Sequence, residues 1–200
     1  MASPWRWEPA LRRYRNTRTG RFLSNDGMKE LRGAFIASLY DDTNKVTGRL
    51  ARREITLNGW LAEARRIVNA THIDQYILAR GGRKRMTPQD WGWLGAKIKE
   101  QYREYLQPFA QAIADGAVTE AQAARRLRMY VDAGRQSYMQ GARQAAKGAG
   151  LTQERNVLSN VEHCDGCVAE TRREWVAIGR LIPLTQRDCL TNDRCDIEYR

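Results

Sequence analysis

Thr87-Pro88-Gln89-Asp90-Trp91, followed by Leu94, Ile98, Tyr102 and Tyr105, is the most explicit structural signal in the chain. The threonine hydroxyl can take an unpaired amide of a helix start. Proline loses nothing in the first turn, and the acid sits at the positive end of the helix dipole. The apolar positions then recur every three or four residues, one face of an α-helix. The pattern predicts a helix running toward Ile113 and stopped by Asp115-Gly116, with Pro108 kinking it or dividing it.

Working outward, Thr119-Glu120-Ala121-Gln122 is a capping box opening a further helix to about Lys147, ended by Gly148-Ala149-Gly150. On the other side, Ile55, Trp60, Leu61, Ala64, Ile67, Val68 and Ile77 mark a helix over residues 55–80. Arg80-Gly81-Gly82-Arg83 closes it. Asp26 can cap a first helix carrying Leu31, Phe35, Leu39 and Val46 on one stripe. The expected fold is mainly α: an elongated helical bundle over residues 28–150, burying these stripes against one another. A basic, extended N-terminal arm (1–27) precedes it, and a small C-terminal β-hairpin module resembling a zinc ribbon (151–200) follows.

The totals narrow the function. A chain of 200 residues, 42% hydrophobic and 28% charged, is ordinary for a globular protein and excludes wholesale disorder. No apolar run approaches the roughly 20 residues that span a bilayer. The start, Met1-Ala2-Ser3-Pro4-Trp5-Arg6-Trp7, has no apolar leader core, so synthesis in the cytoplasm and no membrane partner are expected. The net charge of +11 calls for an anionic neighbour, nucleic acid or an acidic protein surface. Arginine outnumbers lysine, which suits bidentate contact with phosphate or carboxylate.

Within the arm, Arg6, Arg12, Arg13, Arg15, Arg18 and Arg21 are interleaved with Trp5, Trp7, Tyr14 and Phe22. Such a mixture can follow a nucleic-acid backbone with rings stacked on bases. It can also anchor aromatics in pockets of a neighbouring protein, the favoured alternative because exposed rings are costly. Residues 16–22 read as a turn leading into a short extended piece.

Nothing in the helical part assembles a catalytic site. His72 stands alone among apolar positions, and Trp60, Trp91 and Trp93 fall at core spacings. Glu100, Glu104, Asp115 and Glu120 are scattered, and there is no glycine-rich phosphate loop. The expectation is a protein that is not an enzyme, with no catalytic residues.

All four cysteines lie in the last 37 residues. Clustering of that kind points to a local metal site rather than a spread of disulfide staples. His163-Cys164-Asp165-Gly166-Cys167 has the two-residue spacing of a metal knuckle, with Gly166 permitting a tight turn. Trp175-Val176-Ala177-Ile178, Gly179-Arg180 and Leu181-Ile182-Pro183-Leu184 read as strand, turn and strand, returning Cys189 and Cys195 to the first pair. The ligand set expected for a structural Zn is Cys164, Cys167, Cys189 and Cys195. Because five residues separate the last two, His163 and Asp193 stand in reserve. Disulfides and reduced thiols remain the alternatives.

With the N-terminal segment Arg13-Tyr14-Arg15 and Thr19-Gly20-Arg21-Phe22, the tail carries a resemblance. Glu154-Arg155-Asn156-Val157-Leu158, His163-Cys164, Cys167, Trp175-Val176, Ile178-Gly179, Cys189-Leu190-Thr191-Asn192, Cys195 and Glu198-Tyr199-Arg200 resemble the C-terminal end of phage minor head proteins of the Mu protein F-like group. That group often has cysteine where this chain has Asp193, which admits a carboxylate ligand or a degenerate site. The resemblance covers about the last quarter of the chain. It implies a virion protein present in a few copies within a larger assembly, in the head or at the head-tail vertex, made in the host bacterial cytoplasm. It would assist head assembly, DNA packaging or ejection, with the portal protein, the major capsid protein and packaged double-stranded DNA as partners. The other function considered is a small zinc-containing nucleic-acid-binding protein, although the tail lacks a basic recognition helix.

Overall fold

In the computed structural model, which describes every residue except 1–4, 9, 10, 12, 160 and 193, the protein is mainly helical with small antiparallel sheets. Strands β1 (Trp5–Glu8) and β2 (Arg13–Asn16) come first. The helices α1 (Asn25–Ala51), α2 (Leu57–Arg80), α3 (Pro88–Gln101), α4 (Gln107–Ala114), α5 (Glu120–Asp132) and α6 (Gly134–Gly148) follow. The tail holds β3 (Gln153–Val157), α7 (Asp165–Arg172), β4 (Val176–Ala177) and β5 (Asp196–Tyr199).

Two compact units are built from this order, and they do not follow chain order. One comprises Met1–Lys29, Gln75–Met86 and Arg135–Arg200; the other comprises Glu30–Asp74 and Thr87–Gly134. The segment expected as a free arm and the cysteine tail therefore share one unit, and the stripes expected in a single bundle are divided between the two.

The second unit contains the larger apolar core. Leu39, Val46, Trp60, Ala64, Ile67, Val68, Leu106, Leu127 and Val131 are buried together, with Trp60 and Phe109 meeting edge to face. Leu31, expected on the inward stripe, is exposed. Both capping boxes form: Thr87 and Asp90, and Thr119 and Gln122, bond reciprocally across their first turns. The first helix is capped two residues earlier than expected, since the Ser24 hydroxyl and not Asp26 accepts the Gly27 amide.

Helical structure runs on through Pro108. The turn before it, Tyr102–Leu106, widens to a π-helix in which the Gln107 amide reaches back to the Tyr102 carbonyl. A wide turn absorbs the missing proline N–H without ending the helix. The helix expected to run unbroken to Lys147 is interrupted at Ala133.

His72 is wholly buried in this unit and is held by Gln101, whose amide donates to the Tyr130 carbonyl. That bond fixes the amide so that its oxygen faces His72 and accepts the imidazole Nε2–H. Burial pushes the His72 pKa down to about 4, and Lys97 adds to the effect against the Gln101 hydrogen bond.

In the first unit, α6 lies against the end of α2 at Gly141. A Cβ there would stand 2.5 Å from the Tyr76 carbonyl oxygen, a backbone atom unable to swing aside. Gly141→Ala should cost about 1–3 kcal/mol by overpacking, read as a lowered urea midpoint; an unchanged midpoint would contradict the close approach.

The pH dependence of stability should carry the mark of His72. Its proton is held at about 4 in the fold and 6.5 ordinarily, so the unfolded chain binds more protons between those values. Stability is then complete above about pH 6.5 and declines as pH falls toward 4, where the loss levels off at about 3 kcal/mol. His72→Gln should flatten the decline between pH 5 and 6.5 in denaturant titrations, a window above most carboxylate titration. A slope unaltered by the substitution would refute this assignment.

Candidate metal centre

The tail module is organised by β3, the middle strand of a three-stranded antiparallel sheet in the order β4-β3-β5. Glu154 and Asn156 lie two apart on β3 and point to its buried side. The Glu154 carboxylate accepts from Arg143 Nε at 2.8 Å and Nη2 at 2.7 Å. It also accepts the backbone amides of Gly179 at 2.9 Å and Leu181 at 3.2 Å. Glu170 on α7 takes the Ile182 amide at 2.8 Å.

These side chains replace the expected hairpin. Val176 and Ala177 pair with Glu154 and Gln153 of β3, and the turn through Gly179 forms at a φ of 101°. The return leg from Leu181 to Leu184 is irregular. Two of its amides are held by carboxylates and Pro183 has none to offer, so no ladder can form along it. Leu181 and Leu184 are buried all the same. A zinc-ribbon hairpin is thus not the arrangement of this module.

Cys164 ends its loop as the cap of α7, and Cys167 lies one turn on, its amide bonded to the Cys164 carbonyl at 3.0 Å. Gly166 between them does not use a left-handed conformation. It leaves room for Asp188, whose Oδ2 accepts the Gly166 amide at 2.9 Å and would meet a Cβ at the same distance. Asp188 thereby seats the neighbouring Cys189 against the knuckle. The long interval from Cys189 to Cys195 is partly taken up by a 3-10 turn, Leu190–Asn192.

The result is a convergence of donors. Cys164, Cys167 and Cys189 place their Sγ atoms within 4.8 Å of one another, as do Cys167 and Cys195 with a ring nitrogen of His163. Cys167 is common to both groups. Its sulfur lies 3.5 Å from that of Cys164 and 3.5 Å from that of Cys189, and Cys195 Sγ is 3.8 Å from His163 Nδ1. None of the four cysteines is in a disulfide, and these separations far exceed the roughly 2.05 Å of such a bond. A tetrahedral ion with metal–sulfur bonds of about 2.3 Å has edges of about 3.7–3.8 Å. The observed spacings are close to those edges, so the cluster can hold a metal ion.

The surroundings favour the Cys164 sulfur in its charged form. Burial raises the Cys164 thiol, but hydrogen bonds from the Cys167 and Cys189 amides and thiols outweigh it and bring it below its ordinary value. The buried Arg187 guanidinium comes within 3.9 Å of Cys167 Sγ and is fixed by Asn156 Oδ1 at 2.8 Å. His163 donates from Nε2 to the Ser159 carbonyl at 2.7 Å. That bond settles the tautomer and leaves Nδ1 with its lone pair toward the sulfurs, as in metal-bound imidazoles oriented from behind. Asp193 lies outside the described residues.

The N-terminal candidates form a second surface of the same unit. β1 pairs with β2 so that Trp7 faces Tyr14, Arg6 faces Arg15 and Glu8 faces Arg13. Trp7 and Tyr14 meet edge to face at 5.0 Å, Tyr14 donates to the Leu78 carbonyl, and Trp7 covers Gly81. Two of the rings proposed for a partner are therefore seated within the chain itself. Arg6, Arg13, Arg15, Arg18 and Arg21 are exposed, and none makes an ion pair among the described residues. Arg15 lies over the exposed Phe22 ring. Trp5 is half-buried, and Arg12 lies outside the described residues.

Arg143, Glu154, Asn156, Glu170 and Arg187 were not singled out as functional from sequence. The available signal was Glu154-x-Asn156, two polar side chains on one face of a strand shortly before the first cysteine. Comparison of the chain with protein-family models, curated proteins and solved structures finds no match.

Removing one member of the buried pair exposes its importance. Arg143→Met leaves the Glu154 carboxylate, wholly buried, without its counter-charge, and should cost about 3–5 kcal/mol. Arg155→Met removes an exposed pair with Glu198, and the loss should stay below about 1 kcal/mol. Equal losses in urea unfolding would contradict the assigned roles.

Proposed function

We propose that this protein is a non-enzymatic structural component of a tailed-phage virion, a minor head protein near the portal or inner capsid. In this reading a zinc ion pins its C-terminal module, and it assists head assembly or the packaging and ejection of DNA. The observation that carries it is the joining, in one compact unit, of a cysteine cluster with tetrahedral spacing to an arginine-faced hairpin. The resemblance of the tail to Mu protein F-like head proteins supplies the class.

The donor set is mostly thiolate with one imidazole, a combination suited to structural zinc. The residues that would hold the ion are Cys164, Cys167, Cys189 and Cys195, with His163 adjacent. A site closed by protein donors leaves no position for an activated water, so the ion's contribution would be to folding. The arginine face and the net charge of +11 suit a place beside packaged DNA or an acidic protein ring.

Purified protein should contain about one zinc per chain, and Cys167→Ser should abolish it together with part of the thermal stability. Metal-free protein with a melting point indifferent to strong chelator would overturn the zinc reading. In infected or induced cells the protein should co-purify with capsid or portal. A second reading, a free nucleic-acid-binding protein, is favoured by the like-charged Arg6 and Arg15 standing opposite each other. It requires tight binding of isolated monomer to DNA with a steep salt dependence, and absence from particles.

A further inference from the structure

We propose that the metal centre has one contested position, at which His163 Nδ1 can take the place of Cys195 Sγ. The inference rests on the metal-site reading above and extends it from the identity of the donors to how they share the ion.

Five donor atoms fall into two groups of three that share Cys167, and a tetrahedral ion takes four. Cys164, Cys167 and Cys189 form one mutually close group of three sulfurs, three corners of a tetrahedron. The fourth corner would be drawn from the other group, in which Cys195 and His163 both lie close to the shared Cys167 and stand 3.8 Å from one another. No other corner has a second donor among the described residues.

His163 is prepared for that role. Its Nε2–H is committed to the Ser159 carbonyl at 2.7 Å. The nitrogen that faces the sulfurs is therefore the unprotonated one, the form that binds a metal.

Cys195 is equally well held. Its sulfur is buried, its carbonyl accepts from Arg135, and the strand that follows it is paired to β3. Neither claimant has to be brought in from solvent, since both already lie beside Cys167. Sulfur at this corner leaves a divalent ion with four thiolates and a net charge of −2; imidazole leaves −1. Arg187 beside Cys167 offsets the first case, which makes Cys195 the occupant in the intact chain and His163 the replacement when that sulfur is lost.

The test uses the full-length chain loaded with Co²⁺, whose sulfur-to-metal charge-transfer absorption grows with the number of thiolates bound. Wild type and His163→Gln should both bind one cobalt with a four-thiolate spectrum. Cys195→Ser should still bind one cobalt, at about three quarters of that charge-transfer intensity, with affinity reduced about tenfold. Cys195→Ser combined with His163→Gln should lose at least a further hundredfold in affinity, in line with removal of a ligand whose orientation the protein has fixed.

Loss of cobalt in Cys195→Ser alone, with wild type loaded, would overturn the exchange and leave the four-sulfur centre standing. Equal affinity of the single and double variants would overturn it as well, since water would then be filling the corner. Wild type that takes up no cobalt would remove the centre itself, and this inference with it.

Discussion

The Glu154 carboxylate sets the terms for the cysteine-bearing unit. It is a charge with no access to water, and an unpaired buried carboxylate would cost several kilocalories per mole. Arg143 reaches it from α6, while the amides of Gly179 and Leu181 reach it from the loop after β4. One group thus ties a helix, a strand and an irregular segment with no ladder of its own. That segment leads directly to Arg187, Asp188 and Cys189. The placement of the second cysteine pair is therefore inherited from a carboxylate far from the sulfurs in sequence.

The same logic governs the polar residues around the cluster. Asn156 bonds the Cys167 carbonyl and Thr171 with its amide nitrogen and Arg187 with its oxygen. Arg187 also takes the Ile182 carbonyl. Each buried donor met by an acceptor lowers the cost of enclosing thiols beside a cation, and the network holds the cysteine-bearing segments in place. Pre-orientation of that kind matters for affinity, because the ion need not organise its own ligands.

Much of the helical architecture was legible in the sequence because its signals are local. The capping boxes at Thr87 and Thr119, the glycines after Arg80, and the apolar stripe of Trp60, Ile67 and Val68 act within a turn or two. What escaped depends on partners distant in the chain. Trp175 to Leu184 has the alternation of a hairpin, but its return leg is claimed by Glu154 and Glu170, which no local pattern announces. Pro108 predicted a break because a π-turn, which depends on how the flanking residues pack, is invisible to a proline rule. Spacing put Cys164, Cys167, Cys189 and Cys195 in one expected set, whereas the structure groups Cys164 with Cys167 and Cys189, and Cys195 with Cys167 and His163. The orientation of His163 came from the Ser159 carbonyl, a backbone atom whose role only coordinates reveal.

The N-terminal hairpin presents a converse problem. Its inner face is resolved within the chain, since Trp7 and Tyr14 are packed and the Tyr14 hydroxyl is bonded. Its outer face is not: Arg6 stands opposite Arg15, a pairing that destabilises a two-stranded ribbon by about 0.2–1 kcal/mol. A ribbon of eight paired residues has little stability to spare. Glu8, opposite Arg13, is the one acid on that face. Anchoring by the aromatic face lets the unit carry the repulsion, and an anion laid across the arginines would reverse its sign. Trp7 and Tyr14, two of the four rings expected to meet a partner, hold the arginine-bearing face in place, and the guanidinium groups of that face are what remains exposed.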